Sequence, residues 1–330
     1  QIYSWTIPST TPIVKDTVRI RVCDATLTDV CDVATAASSL LANFTVTNPA
    51  AGVVWVAEST ETIAWSTPQV GVPATVKLEV ALDGTTFVPI PETYGTANDG
   101  IVANTGTQSV TLGPDLSTST RGRISDPSNA NSALVSDPYK IRGDLTLTAP
   151  NGGQAWEIMT YNNITWTKKG NITAVKLQYT KDSSAIPVVW EALPDGETPP
   201  RDTQNIALGV PPYSFNWKIP DVAGIISTKT RVRVVDANDS TVLDPSDADV
   251  TIKGRVDLTS PNGGSTYGVG SNLTITGSVF GPIASVRVRY SDNNGASYLY
   301  IPTGCGDVNG DVTVAGDRTF TCSWTLPDKI

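Results

Sequence analysis

Asp307, Asn309 and Asp311 are the residues here whose spacing most resembles a ligand site. In "GDVNGDVTVAGD" they place side-chain oxygens at the first, third and fifth positions of a loop. Calcium collects six to eight oxygens in this way. The pattern then departs: Val312 holds the slot where glycine is wanted, and Arg318 stands where a carboxylate would close the shell. An acidic, glycine-containing hairpin turn is therefore the competing reading, and calcium the one cofactor that the sequence admits. Cys23 with Cys31, and Cys305 with Cys322, form two local pairs without a C-x-x-C, which reads as two disulfides made in an oxidising compartment. The 330 residues contain no histidine, so histidine bases, histidine-dependent triads and histidine metal ligands are excluded. Acidic residues fall mostly in turns, and no catalytic pair stands out. The expectation is a protein that is not an enzyme.

Other short matches have plain alternatives. Sequons at Asn43, Asn163, Asn171, Asn238 and Asn272 are candidate N-glycosylation sites. "RGD" at Arg142–Asp144 lies where one repeat meets the next, so it reads as an accidental match. "DANDS" at Asp236–Ser240 reads as a solvated hairpin tip.

What would hold these residues is a β-structure. Thr, Ser, Val, Asn and Asp dominate, a composition suited to strands and turns. Hydrophobic residues, at 39%, suffice for packed cores, and no stretch reads as an amphipathic helix or a membrane span. The net charge of −9, with lysine and arginine scattered, argues against nucleic acid as a partner.

The chain repeats itself. A tryptophan-proline phrase recurs at Pro8, Pro114, Pro220 and Pro327, a period of roughly a hundred residues. Trp5, Trp217 and Trp324 each stand three before the proline, and Thr111 fills that slot in the second copy. A second phrase, "TNPAAGVVW", "TAPNGGQAW" and "TSPNGGSTY", places Trp55, Trp156 and Tyr267 six after a proline. "VKLEV", "VKLQY" and "VRVRY" follow, each alternating apolar and polar residues as a strand with one wet face does. In the third copy strands are expected near 144–148, 163–167, 175–180, 188–192, 214–219, 230–236 and 249–252, with Trp166 and Trp217 as core residues. Seven short strands with turns between them predict an immunoglobulin-like or fibronectin-like sandwich.

The expected fold class is thus all-β, in tandem immunoglobulin-like modules. Residues 1–42 read as the back part of one module, 43–143 and 144–254 as complete modules, and 255–330 as the front part of another. The joins, "YKIRGDLTLTAP" and "VTIKGRVDLTSP", contain no flexible spacer, which predicts a semi-stiff array. The partial end modules are expected to continue in a longer array. The alternative is completion in trans by a neighbouring subunit, since together they approach the length of one module.

These motifs, "PNGG…W…ITW…VKLQYTKD…W…W-x-I-P…RVRVVDA…D-P-S-D", resemble the immunoglobulin-like repeat of large bacterial and archaeal surface proteins. They are also similar to the module that opens fungal cell-wall glucan-assembly proteins. The resemblance implies an extracellular, cell-surface role in a surface layer, sheath, stalk or filament, with copies of itself or neighbouring modules as partners. The alternatives are an adhesin or carbohydrate-binding ectodomain that takes surface glycans, and a non-catalytic spacer of a large secreted enzyme. The second copy departs with "PAAG" and without the tryptophan before Pro114. The fourth lacks the tryptophan of "ITW".

Overall fold

Val175, Leu177 and Tyr179 alternate along "VKLQY" and are all buried, while Lys176 and Gln178 between them keep partial contact with solvent. Period-2 burial of this kind needs a second apolar layer to cover it. The computed structural model describes residues 2, 4, 15–67, 73–90, 99–301, 304–307 and 310–328, and shows that layer. Every regular element among the described residues is a β-strand. Among the described residues no helix is long and apolar enough to cross a membrane. The protein is all-β, built as tandem β-sandwich modules.

By compactness the chain forms two units. One contains residues 1–144 with 168–172, and the other 145–167 with 173–330. In the third module one sheet is Asp144–Ala149, Tyr161–Lys169 and Tyr213–Lys218. The other orders Ala155–Glu157, Val250–Lys253, Ser227–Asp236, Ala174–Thr180 and Glu191–Ala192, with Ile206–Ala207 and Leu243–Pro245 attached. Trp166 and Trp217 lie buried between the sheets, as expected of core residues. The indole N–H of Trp217 donates to Pro194 O at 2.6 Å, and its ring meets Trp156 edge-on at 6.0 Å.

The second module repeats the plan. Thr45–Asn48, Thr60–Ser66 and Thr107–Thr111 make one sheet. Val54–Val56, Tyr139–Arg142, Ser117–Asp126, Thr75–Ala81 and Ile101–Ala103 make the other. The fourth module has Arg255–Ser260, Asn272–Phe280 and Thr319–Thr325 in one sheet, with two short strand pairs opposite. Trp5 and Pro8, which open the first repeat phrase, lie outside the described residues.

Several expectations need correction. The strand expected over 188–192 forms only at Glu191–Ala192. Pro187 has no N–H for a ladder, and Val189, two residues on, is 61% exposed, so little stabilises pairing there. A strand at Ala155–Glu157 was not foreseen; it pairs in parallel with Val250–Lys253, and three residues are too few to show a period. The tryptophan slot in the second copy belongs to Val110, not Thr111. Tyr161 pairs with Lys218 and Asn162 with Trp217 in the third module, whereas Thr60 pairs with Thr111 and Glu61 with Val110 in the second. A one-residue slip in strand alignment moves a side chain to the other face. Val110 is accordingly buried and Thr111 exposed.

Candidate functional site: the joint between modules

The repeated motifs resolve first into local fasteners. Asp236, the aspartate of "RVRVVDA", is buried and accepts the Asn238 N–H at 2.9 Å. Asp126 and Asp24 do the same for Ser128 and Thr26. The tip at 236–240 is thus closed at its base by a buried aspartate, while Asn238 and Ser240 are exposed. "PNGG" docks on "DPSDA": Asn151 Nδ2 donates to Asp247 Oδ2 at 2.6 Å, and the Asp247 N–H returns a bond to Asn151 Oδ1 at 2.9 Å. A Cβ on Gly152 would sit 2.4 Å from Ala248 Cβ, so only glycine fits there.

A second set of contacts recurs where one module follows another, and sequence reading missed it. In the second unit Gly254 alone separates Val250–Lys253 from Arg255–Ser260. The tip "GPI" of the fourth module, Gly281–Ile283, folds against that join. The Gly281 N–H donates to Asp221 Oδ2 at 3.2 Å. Arg318 Nη1 donates to the same oxygen at 2.6 Å and to Gly281 O at 3.2 Å. Arg255 Nη1 reaches Met159 O at 3.4 Å. Gly281 has φ +87°, and a Cβ there would lie 2.6 Å from Ile226 Cδ1 and 3.1 Å from Ile158 Cδ1. Ile283 Cδ1 closes on Gly254, 3.0 Å from where its Cβ would be.

Within the first unit the same arrangement surrounds the tip "GNI", Gly170–Ile172. The Gly170 N–H donates to Glu58 Oε2 at 2.9 Å, Asn171 N–H to Pro114 O at 2.8 Å, and Asn171 Nδ2 to Asp115 Oδ1 at 3.0 Å. A Cβ on Gly170 would meet Leu116 Cδ2 at 2.6 Å and Ala57 Cβ at 3.0 Å. Ile172 stands 2.7 Å from where a Cβ on Gly143 would be. Each joint thus combines one glycine between strands, a Gly-x-Ile tip, an apolar seat and a carboxylate. The aspartate after the repeat proline, Asp115 or Asp221, takes part in both. The signal in the sequence was that "PD" follows the tryptophan phrase and that Gly-x-Ile comes four residues after the Trp166 position.

The joint reassigns two sequence candidates. "RGD" contains Gly143, the join glycine packed under Ile172, with Arg142 and Asp144 half-buried. Asn171 is exposed, but its amide nitrogen is engaged by Asp115. Asn43, Asn163, Asn238 and Asn272 are exposed.

Both disulfides form. Cys23 faces Cys31 across a hairpin, matching the Val235–Leu243 pair. Cys23 is exposed, and no other described strand pairs with this hairpin. Cys305 and Cys322 are buried in the core of the fourth module.

In the calcium candidate, Asn309 lies outside the described residues. Arg287 engages both Asp311 oxygens, at 2.6 and 3.0 Å, and holds that carboxyl below its ordinary value. Asp307 Oδ1 accepts the Asp311 N–H at 3.0 Å.

Among known proteins, no family model matches the chain, and no curated protein matches it. Solved structures give distant similarities. Fibronectin(III)-like modules of Clostridium thermocellum CbhA share 15% identity over 64% of this chain and 94% of that one, with a TM-score of 0.20. Titin domains I67–I69, as an E-to-A variant, share 8% over 88% and 90%, at 0.26. The first eight Ig domains of Down Syndrome Cell Adhesion Molecule share 12% over 90% and 35%, at 0.27. Likenesses this remote carry no argument about activity or partner.

Proposed function

We propose that this chain is a structural segment of an extracellular domain array. It acts as a non-catalytic spacer that assembles with copies of itself or neighbouring modules into a surface layer, sheath, stalk or filament. The recurrent joint carries the reading. A chain whose modules served separate binding tasks would need no shared fastener, whereas a spacer must fix the angle between neighbours. Short joins that are hydrogen-bonded and packed limit hinge motion in a way that open linkers do not.

Two further observations support it. Two disulfides suit an oxidising compartment. No described tryptophan is fully exposed, and Trp156 and Trp190 are half-buried. Tyrosines provide the exposed aromatics, and two of them, Tyr161 and Tyr300, lie under Lys218 and Arg289. Electron microscopy and sedimentation of the full chain over a concentration series test the proposal. Ordered assemblies that grow with concentration are expected. A monomer at every concentration that binds glycans saturably would overturn it in favour of the adhesin reading.

A further inference from the structure

The second module contains a cavity of about 180 Å³ between its sheets, walled by Trp55, Ile63, Val80, Val110, Tyr139 and Ile141. Its origin can be read from the repeats. In the fourth module Tyr290 and Trp324 pack ring against ring at 4.8 Å. The third module has Tyr179 and Trp217 at the same two positions, both buried. In the second module both are valine, Val80 and Val110, on strands of opposite sheets. Among the described residues no larger neighbour fills the gap, and the apolar core divides there in two. Phe44, Trp65, Leu78 and Val110 belong to one part, and Trp55, Ala57, Tyr139 and Ile141 to the other.

The fourth module shows that a lost aromatic can be replaced. It has Gly277 at the Trp166 position, and the Phe320 ring covers that glycine, 2.4 Å from where a Cβ would be. Among the described residues the second module makes no such repair.

We propose that this cavity is a binding site for an uncharged planar aromatic molecule of one or two rings. Its volume compares with the cavity of about 150 Å³, lined by Leu, Ile and Phe, that stays dry and takes benzene. The space corresponds to an indole and a phenol ring that the sister modules carry covalently. Trp55 and Tyr139, edge-on at 4.8 Å, supply aromatic walls. Asp115 is the charged side chain on the lining; it is exposed at the rim, and its carboxylate is engaged by Asn171. No cation on the lining answers an anion, so charged analogues are excluded. Leu82 and Val88, both partly open to solvent, mark the entrance.

The test is calorimetric melting of the full chain with benzene, indole and, as a charged control, benzoate. Benzene and indole are expected to raise the melting temperature of one transition, increasingly with concentration, and benzoate to leave it unmoved. Val110→Trp should raise that transition without ligand and abolish the response. Val80→Tyr, which fills the cavity from the opposite sheet, should do the same if the first variant fails to fold. No shift with either benzene or indole near its solubility limit, an equal shift with benzoate, or a shift that survives both substitutions would each overturn the proposal.

Discussion

Gly281→Val would break the joint of the second unit by two separable effects. The first is conformational: Gly281 has φ +87°, where a residue with a side chain costs roughly 1–2 kcal/mol, and a β-branched one the upper figure. The second is steric: the new Cβ would lie 2.6 Å from Ile226 Cδ1 and 3.1 Å from Ile158 Cδ1. Alanine could be admitted by rotation of Ile226, but the extra methyls of valine also press on Ile158. Overpacking of this kind costs about 1–3 kcal/mol. Displacing the tip also lengthens the Gly281–Asp221 bond, and hydrogen bonds to charged groups contribute about 1.5–3 kcal/mol. The control is Gly263→Val, which has the same φ of +87° but no atom within 4 Å of its Cβ site. The difference between the variants isolates the joint, and about 2.5–6 kcal/mol is expected from the steric and hydrogen-bond effects together. Urea unfolding measures it, and tryptic cleavage at Lys253 and Arg255, beside the join, should accelerate in the first variant only. Equal destabilisation in the two variants, with unchanged cleavage, would refute the claim that packing at Gly281 fastens one module to the next.

Other perturbations address the modules singly. Trp217→Val should lower the stability of the third module by about 3 kcal/mol, since it empties a fully buried slot and orphans Pro194 O; thermal melting reads it. Burial raises the affinity of the Glu79 carboxyl for a proton, but bonds from Arg123 and Lys77 outweigh it and hold the group below its ordinary value. A depressed native value stabilises at neutral pH, and that contribution is lost as pH falls below about 4.5 through the native value. Glu79→Gln should therefore be less stable than the parent at pH 7, with the gap closing as the pH falls through the depressed native value, as followed by urea unfolding. Reducing Cys305–Cys322, 17 residues apart, should cost about 3 kcal/mol, and reducing the shorter, exposed Cys23–Cys31 pair less, as melting with and without reductant would show. Chelation should leave the melting temperature unchanged, because Arg287 already engages Asp311; a clear fall would instead point to calcium at Asp307, Asn309 and Asp311.

The sandwich could be read from the sequence because its code is local. Alternation in "VKLQY" and "RVRVV" reports one buried face per strand, and the repeated phrases mark equivalent strands in successive copies. Trp166 and Trp217 could be placed in the core since few environments other than an interior accommodate so much apolar surface. The joint could not be read, because its parts are scattered: Asp221, Gly254, Gly281 and Arg318 meet only after two modules have folded. None has a side chain that is unusual for a surface turn.

Sequence alone determined the class of the protein: β-modules of one design, stapled by cysteine pairs, without the residues for histidine chemistry. Tertiary structure alone decided the rest. Strand register made Val110, not Thr111, the counterpart of Trp217, and so left the second module hollow where the third is full. A strand's alternation reports which residues face inward, but not which of them oppose each other across a core. Whether a lost ring becomes a cavity depends on those opposing neighbours, and chain order does not record them.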